Sequence, residues 1–130
     1  MTSSVDARGT GLVIRIAERN SFFAADMVAG LRAAAPGADI AACTTLEAVG
    51  HATDHIPRAS RLVVIASARL AEIGAAGLVD KIRARGGQIV VVQGADPDAD
   101  VVAAGFRVMP SPFTDESLAA LLAEILTPPT

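Results

Sequence analysis

The sequence predicts an α/β domain: one doubly wound, five-stranded parallel sheet with helices on both faces, three layers in all. Three observations carry that expectation. Five short aliphatic runs, "GLVIRIA", "ADIAAC", "RLVVIA", "QIVVVQ" and "FRVM", hold few charges, as strands buried on both faces do. Between them lie stretches with apolar residues at helical spacing, and strands that alternate with helices pair in parallel. The 130 residues are of single-domain length, and a hydrophobic fraction of 52% suffices for one core.

Residues 11–17 read as the first strand. The first helix, 21–35, has Phe22, Phe23, Met27 and Leu31 at helical spacing, Ser21 as N-cap and Pro36-Gly37 as its stop. A weaker strand follows at 38–43. Thr44 and Glu47 then match a capping box, in which hydroxyl and carboxylate satisfy free backbone donors reciprocally, so the second helix spans 45–55 and ends at Ile56-Pro57. Residues 61–66 give the third strand. Leu70, Ile73, Leu78 and Ile82 recur as one helix requires, weakened by Gly74 and Gly77 and ended by Gly86-Gly87. The fourth strand, 88–93, leads into a turn at Asp96-Pro97-Asp98, a short helix at 98–105 and a fifth strand at 106–109. In the last helix Thr114 is the N-cap, Asp115 and Glu116 suit the positive first turn, and Phe113 and Leu118 occupy the positions of a hydrophobic staple. The expected organisation is a flexible segment at 1–10, a folded domain at 11–126 and a tail at 127–130.

Composition narrows the partners. With 14 acidic against 11 basic residues, the net charge of −3 supplies no basic footprint for nucleic acid or an anionic membrane. Cys43 is the only cysteine, so no internal disulfide forms and a reducing compartment is the simpler reading. The opening MTSSVDARGTG has no apolar segment like that of a signal peptide, and no apolar run reaches the roughly 20 residues a spanning helix needs. A cytoplasmic protein is expected.

Several local patterns are weaker than they look. His51 and His55 are four apart on the expected second helix, but Ala52 stands where His-Glu-x-x-His has its glutamate and no third ligand is evident, so a solvated helix end is favoured over a metal site. Asp96-Pro97-Asp98-Ala99-Asp100 resembles a calcium loop, yet Val101 replaces the glycine and Arg107 falls where the bidentate glutamate belongs. A turn that caps the following helix fits better. Cys43 reads as a buried structural thiol, and Gly9-Thr10-Gly11 precedes a strand, which a phosphate-cradling loop does not. Arg15, inside an apolar strand, either snorkels outward or pairs with an acid near the sheet's carboxyl edge.

With the elements placed, "VMPSPFTDESL" resembles the end of the receiver domain of bacterial response regulators, where a strand is followed by Lys-Pro-Phe and a final helix. "LVIRIAERN" is similar to that family's first strand and acidic turn, "RLVVIAS" to the third strand and phospho-acceptor, "VVVQGA" to the fourth strand with its Ser/Thr-Ala, and "AAGFRVMPSPF" to the segment ending in Lys-Pro-Phe. The resemblance runs from Gly11 to Leu126 and implies a flavodoxin-like sheet of order 2-1-3-4-5. It also implies that the phosphorylation pocket is degenerate. Ala66 falls at the acceptor aspartate with Ser67 beside it, Glu18-Arg19-Asn20 at the metal-binding acids, Gln93 at the hydroxyl and Ser111 at the lysine. Phosphoryl transfer depends on positioning and on charge neutralisation, so each missing group removes a separate contribution, and a lone Ser67 hydroxyl has no base to activate it. Gly74, Gly105, Pro112 and Phe113 keep the scaffold, and the family commonly has a cis peptide at the position of Ser111-Pro112.

Two functions follow as expectations. One is a pseudo-receiver: not an enzyme, without a cofactor or metal, and a protein-interaction module in two-component-type signalling. Its partners would be other signalling proteins, such as a histidine kinase or a response regulator, or a second copy. The family's usual partner face would here include Asp100, Ala104, Arg107, Ala119, Ala120 and Ala123. The alternative is a small-molecule-binding or enzymatic flavodoxin-like domain, because open α/β sheets bind ligands outside the carboxyl ends of their strands.

Overall fold

The structure, a computed structural model, describes residues 10–126; apart from Thr10, the expected flexible segment and tail lie outside the described residues. Five parallel strands, β1 (Leu12–Ala17), β2 (Asp39–Cys43), β3 (Arg61–Ala66), β4 (Gln88–Val92) and β5 (Arg107–Met109), form one sheet in the order β2-β1-β3-β4-β5. Six helices connect and flank them: α1 (Ser21–Ala34), α2 (Leu46–Thr53), α3 (Leu70–Ala75), α4 (Leu78–Arg83), α5 (Asp98–Ala103) and α6 (Asp115–Leu126). No helix among the described residues is long and apolar enough to cross a membrane.

The alternation of side chains along each strand divides the interior in two. Leu12, Ile14 and Ile16 of β1 and Val63 and Ile65 of β3 join Met27 and Leu31 of α1 and Leu118, Leu122 and Ile125 of α6 in one core. Val13 and Ala17, with Leu62, Val64 and Ala66, turn to the other face and pack with Val49, Ile73, Leu78, Ile82 and Val101. Both faces are therefore dry, which is why the strands read as continuous aliphatic runs. Pairing of Ala17 with Cys43 and with Ala66, and of Val92 with Met109, lines up the carboxyl ends of neighbouring strands along one edge.

Several local expectations need correction. The N-cap of α1 is Asn20, not Ser21: its Oδ1 accepts from the backbone N–H groups of Phe22 and Phe23 at 3.0 and 3.1 Å. The buried stripe of α1 runs through Ala24, Met27 and Leu31, which leaves Phe22 and Phe23 in the first turn, 81% and 56% exposed. Thr45, not Thr44, caps α2 by accepting from Ala48 N, so Glu47 sits too early for a capping box and the helix ends at Thr53 rather than at 55. The single helix expected between β3 and β4 is two, because Gly77 adopts φ +67° and starts α4 afresh. Asp96 does not cap α5, whose N-cap is Pro97; its Oδ2 accepts from Leu70 N at 2.7 Å and so caps α3 from across the sheet edge.

Arg15 is resolved as well. Its guanidinium donates to both carboxylate oxygens of Asp39, at 3.2 and 3.3 Å, and Asp39 opens β2 at the edge opposite the strands' carboxyl ends. Cys43 is half-buried, where full burial was expected, and rests against the second core.

Candidate functional site

Five loops leave the carboxyl edge of the sheet, following β1, β2, β3, β4 and β5. Two hollows open there, and Ser67, exposed just past β3, lines both. The larger holds about 400 Å³ and is walled by Phe23, Met27, Val92, Pro112 and Phe113, with Glu18, Asn20, Asp26, Ser67, Gln93 and Ser111 supplying its polar groups. The smaller, about 280 Å³, lies towards α2 and α3 and includes Arg19, Thr45, Glu47 and Glu72.

The fold thus brings Glu18, Ser67, Gln93 and Ser111 to one cavity and separates Arg19 and Ala66 from it. Each is held by its own loop. Glu18 accepts the Asn20 N–H at Oε1 (2.9 Å), and its backbone N–H donates to Cys43 O. Arg19 turns away to Glu72, 3.4 Å distant across solvent, at a separation and exposure where an ion pair contributes little. Ala66 is fully enclosed in the second core and lines neither hollow. Gln93 is anchored twice, by its backbone N–H to Met109 O at 2.7 Å and by its side-chain amide to Asp98 at 2.9 Å. Ser111 is exposed, and the peptide joining it to Pro112 is cis.

Chemically, the larger cavity pairs apolar walls with acidic side chains. Glu18 and Asp26 are carboxylates, and no Lys, Arg or His is among its described lining residues. An anionic phosphoryl group there would meet negative charge and hydroxyls, with no preorganised cation to stabilise it. Ser67 is the hydroxyl nearest to the usual acceptor position, and no histidine lines either hollow to activate it. Among the described residues no group of three or more His, Cys, Asp or Glu is placed to hold a metal ion.

The other candidates fall elsewhere. Asp100 and Ala104 (α5 and its end) and Ala119, Ala120 and Ala123 (α6) are exposed, and half-buried Arg107 joins β5 to α6 through Glu124 at 3.1 Å and donates to Gln88. His51 is exposed on α2, but His55 lies past its end, so the two do not share a helical face. Asp54 between them pairs with Lys81 at 3.0 Å; that hydrogen bond, with the cationic charge around it, keeps its carboxyl below the usual range. Two features of the cavity escape sequence reasoning, Asp26 and the rim position of Phe23. Both sit on a helix whose face is set only by packing.

Neither a protein-family profile nor a curated protein matches the chain. Among solved structures it is similar to a Burkholderia pseudomallei protein provisionally named as pilus assembly-related, at 18% sequence identity over 88% of this chain and 90% of that one, with a TM-score of 0.63. At that identity the likeness is one of fold, and the fold the two share is the parallel five-stranded α/β sheet with order 2-1-3-4-5.

Proposed function

We propose that this domain is a phosphorylation-independent pseudo-receiver that acts as a protein-interaction module in bacterial signal transduction, in the cytoplasm and without enzymatic activity. One observation carries the reading: the described lining of the larger carboxyl-edge cavity in a receiver-type sheet includes Glu18 and Asp26 and no Lys, Arg or His, while Ala66, at the position matched to the acceptor, is enclosed in the core. Phosphoryl transfer needs a nucleophile and neutralising charge together, and these residues offer neither. The face of Asp100, Ala104, Arg107, Ala119, Ala120 and Ala123 is the surface for a signalling partner, a histidine kinase or response regulator, or a second copy. The name of the structural neighbour adds pilus assembly as one setting for such a partner.

The test pairs chemistry with capture. Incubation with acetyl phosphate and Mg²⁺ leaves the intact mass unchanged, and tagged protein in its native host retains a defined partner that Ala120→Arg releases. A stable phosphoryl adduct on Ser67 overturns the reading. A second reading, a small-molecule receptor, draws on the apolar walls of the 400 Å³ cavity. Thermal stabilisation by one metabolite in a screen, with no protein partner retained, would favour it.

A further inference from the structure

A third hollow, about 360 Å³, adjoins the larger carboxyl-edge cavity along the seam between α1 and the start of α6. Asp26 and Phe113 line both, so the two are neighbours across these side chains and make up one grooved surface. Its described lining carries the carboxylates of Glu18, Asp26 and Asp115 and no Lys, Arg or His, although the chain has 11 Lys and Arg. Phe23, Met27 and Phe113 give it apolar walls, and Phe23, 56% exposed at the rim, is one of only three large hydrophobic side chains so exposed among the described residues. The groove therefore joins negative charge to apolar surface across two neighbouring hollows.

We propose that this groove docks a basic segment of a partner protein, in which Arg or Lys side chains lay their aliphatic stems on Phe23 and Phe113 and direct their charged ends to Glu18, Asp26 and Asp115. Charge complementarity selects that occupant. An arginine or lysine is the side chain with a long apolar stem and a cationic head, and guanidinium pairs bidentately with carboxylate. An acidic or purely apolar segment would leave the groove's carboxylates unpaired. The proposal rests on the reading of the domain as an interaction module, and it assigns a surface distinct from the α5–β5–α6 face.

The probe is a short, fluorescently labelled peptide with alternating Arg and Leu and blocked ends, compared with the same peptide carrying citrulline for Arg. The Arg peptide binds about tenfold or more tightly than the citrulline one, binding weakens as salt is raised, and Asp26→Asn with Asp115→Asn, or Phe23→Ala alone, each weakens it by about tenfold. Circular dichroism and thermal unfolding first establish that the variants fold. Equal binding of the two peptides, or binding unchanged in the variants, overturns the proposal. Free arginine amide binding as tightly as the peptide assigns the groove to a small molecule and overturns it too, as does a dimer in solution that Asp26→Asn dissolves. If the native partner is lost on Ala120→Arg but kept on Asp26→Lys, the interaction module stands and this docking site falls.

Discussion

Ala66→Asp, the substitution that would supply an acceptor by analogy with a receiver, is expected to destabilise the domain strongly without introducing phosphoryl-transfer chemistry. Ala66 is 0% exposed, in the core cluster that holds Val13, Ala17, Val64 and Ile73. An aspartate there overfills a packed site, at about 1–3 kcal/mol. It also places a carboxylate among aliphatic groups, at an effective cost of several kcal/mol for an unpaired ion, or less if the group stays protonated. The sum is on the order of 3–6 kcal/mol against a typical domain stability of about 5–15 kcal/mol. The pH dependence has a definite sign. A carboxyl whose pKa is raised in the folded state gives up its proton first in the unfolded chain, so the variant's deficit relative to the parent is small below pH ~4 and grows as pH rises towards the folded value. Urea unfolding followed by far-UV circular dichroism measures this, since the chain has no Trp or Tyr for fluorescence. Ser67→Asp is the control: it lies in the open at the cavity mouth and should change stability by less than about 1 kcal/mol. An Ala66→Asp protein as stable as the parent, or one that takes up phosphate from acetyl phosphate in an Mg²⁺-dependent way, refutes the reasoning.

Arg85 ties the segment between α2 and β3 by donating to the carbonyls of Thr53, Ile56, Pro57 and Ser60 at 2.7–3.3 Å. Arg85→Ala is expected to cost about 2–4 kcal/mol in urea unfolding, and Arg85→Lys to recover only part of it, because one ammonium does not reach four carbonyls. Gly30→Ala puts a Cβ 2.5 Å from Leu118 Cδ1 where α1 meets α6, and the clash outweighs the gain in helix propensity, so a net loss of about 1–2 kcal/mol should appear as a lower Tm. Asp54, whose carboxyl is kept low by Lys81, contributes stability that is present above its unfolded pKa and lost as pH falls through the lower folded value; Asp54→Asn should remove that acid-side loss, read from unfolding curves between neutral pH and about pH 3.

The sheet was legible because its determinants are local and repeated. Runs such as "RLVVIA" and "QIVVVQ" are short, rich in β-branched residues and buried on both faces, the combination that separates a parallel strand from a buried helix segment. Phase was harder. Leu70, Ile73, Leu78 and Ile82 read as one helix, and the break came from the backbone of Gly77, whose φ of +67° the apolar spacing does not reveal. Phe22 and Phe23 looked like core residues because hydrophobicity says nothing of where a helix begins; with Asn20 as cap, the stripe passes through Ala24 and Met27 instead. The site was legible only in part. Glu18, Ser67, Gln93 and Ser111 follow strands closely, so strand placement alone brings them to one edge. Asp26 enters the cavity from the second turn of α1, and Arg19 leaves it for Glu72, through geometry that no local signal encodes.

Fold and chemistry are specified at different positions in this chain. Stability rests on the alternating aliphatic residues of the strands and on the stripes of α1 and α6, where a single truncation costs about 2–5 kcal/mol. Ser67, Gln93 and Ser111 are exposed loop residues at strand ends, where substitution usually moves stability by less than about 0.5 kcal/mol. Under the pseudo-receiver reading proposed above, the positions that a receiver uses for phosphoryl transfer belong to this second class, apart from the acceptor, so residues there can change with the sheet intact. Ala66 is the informative exception: once that position is closed into the core by packing with Val64 and Ile73, a carboxylate no longer fits it without cost. Among its described lining residues the cavity beside it carries only negative side-chain charge next to aromatic and aliphatic walls, the combination on which the proposed basic segment depends.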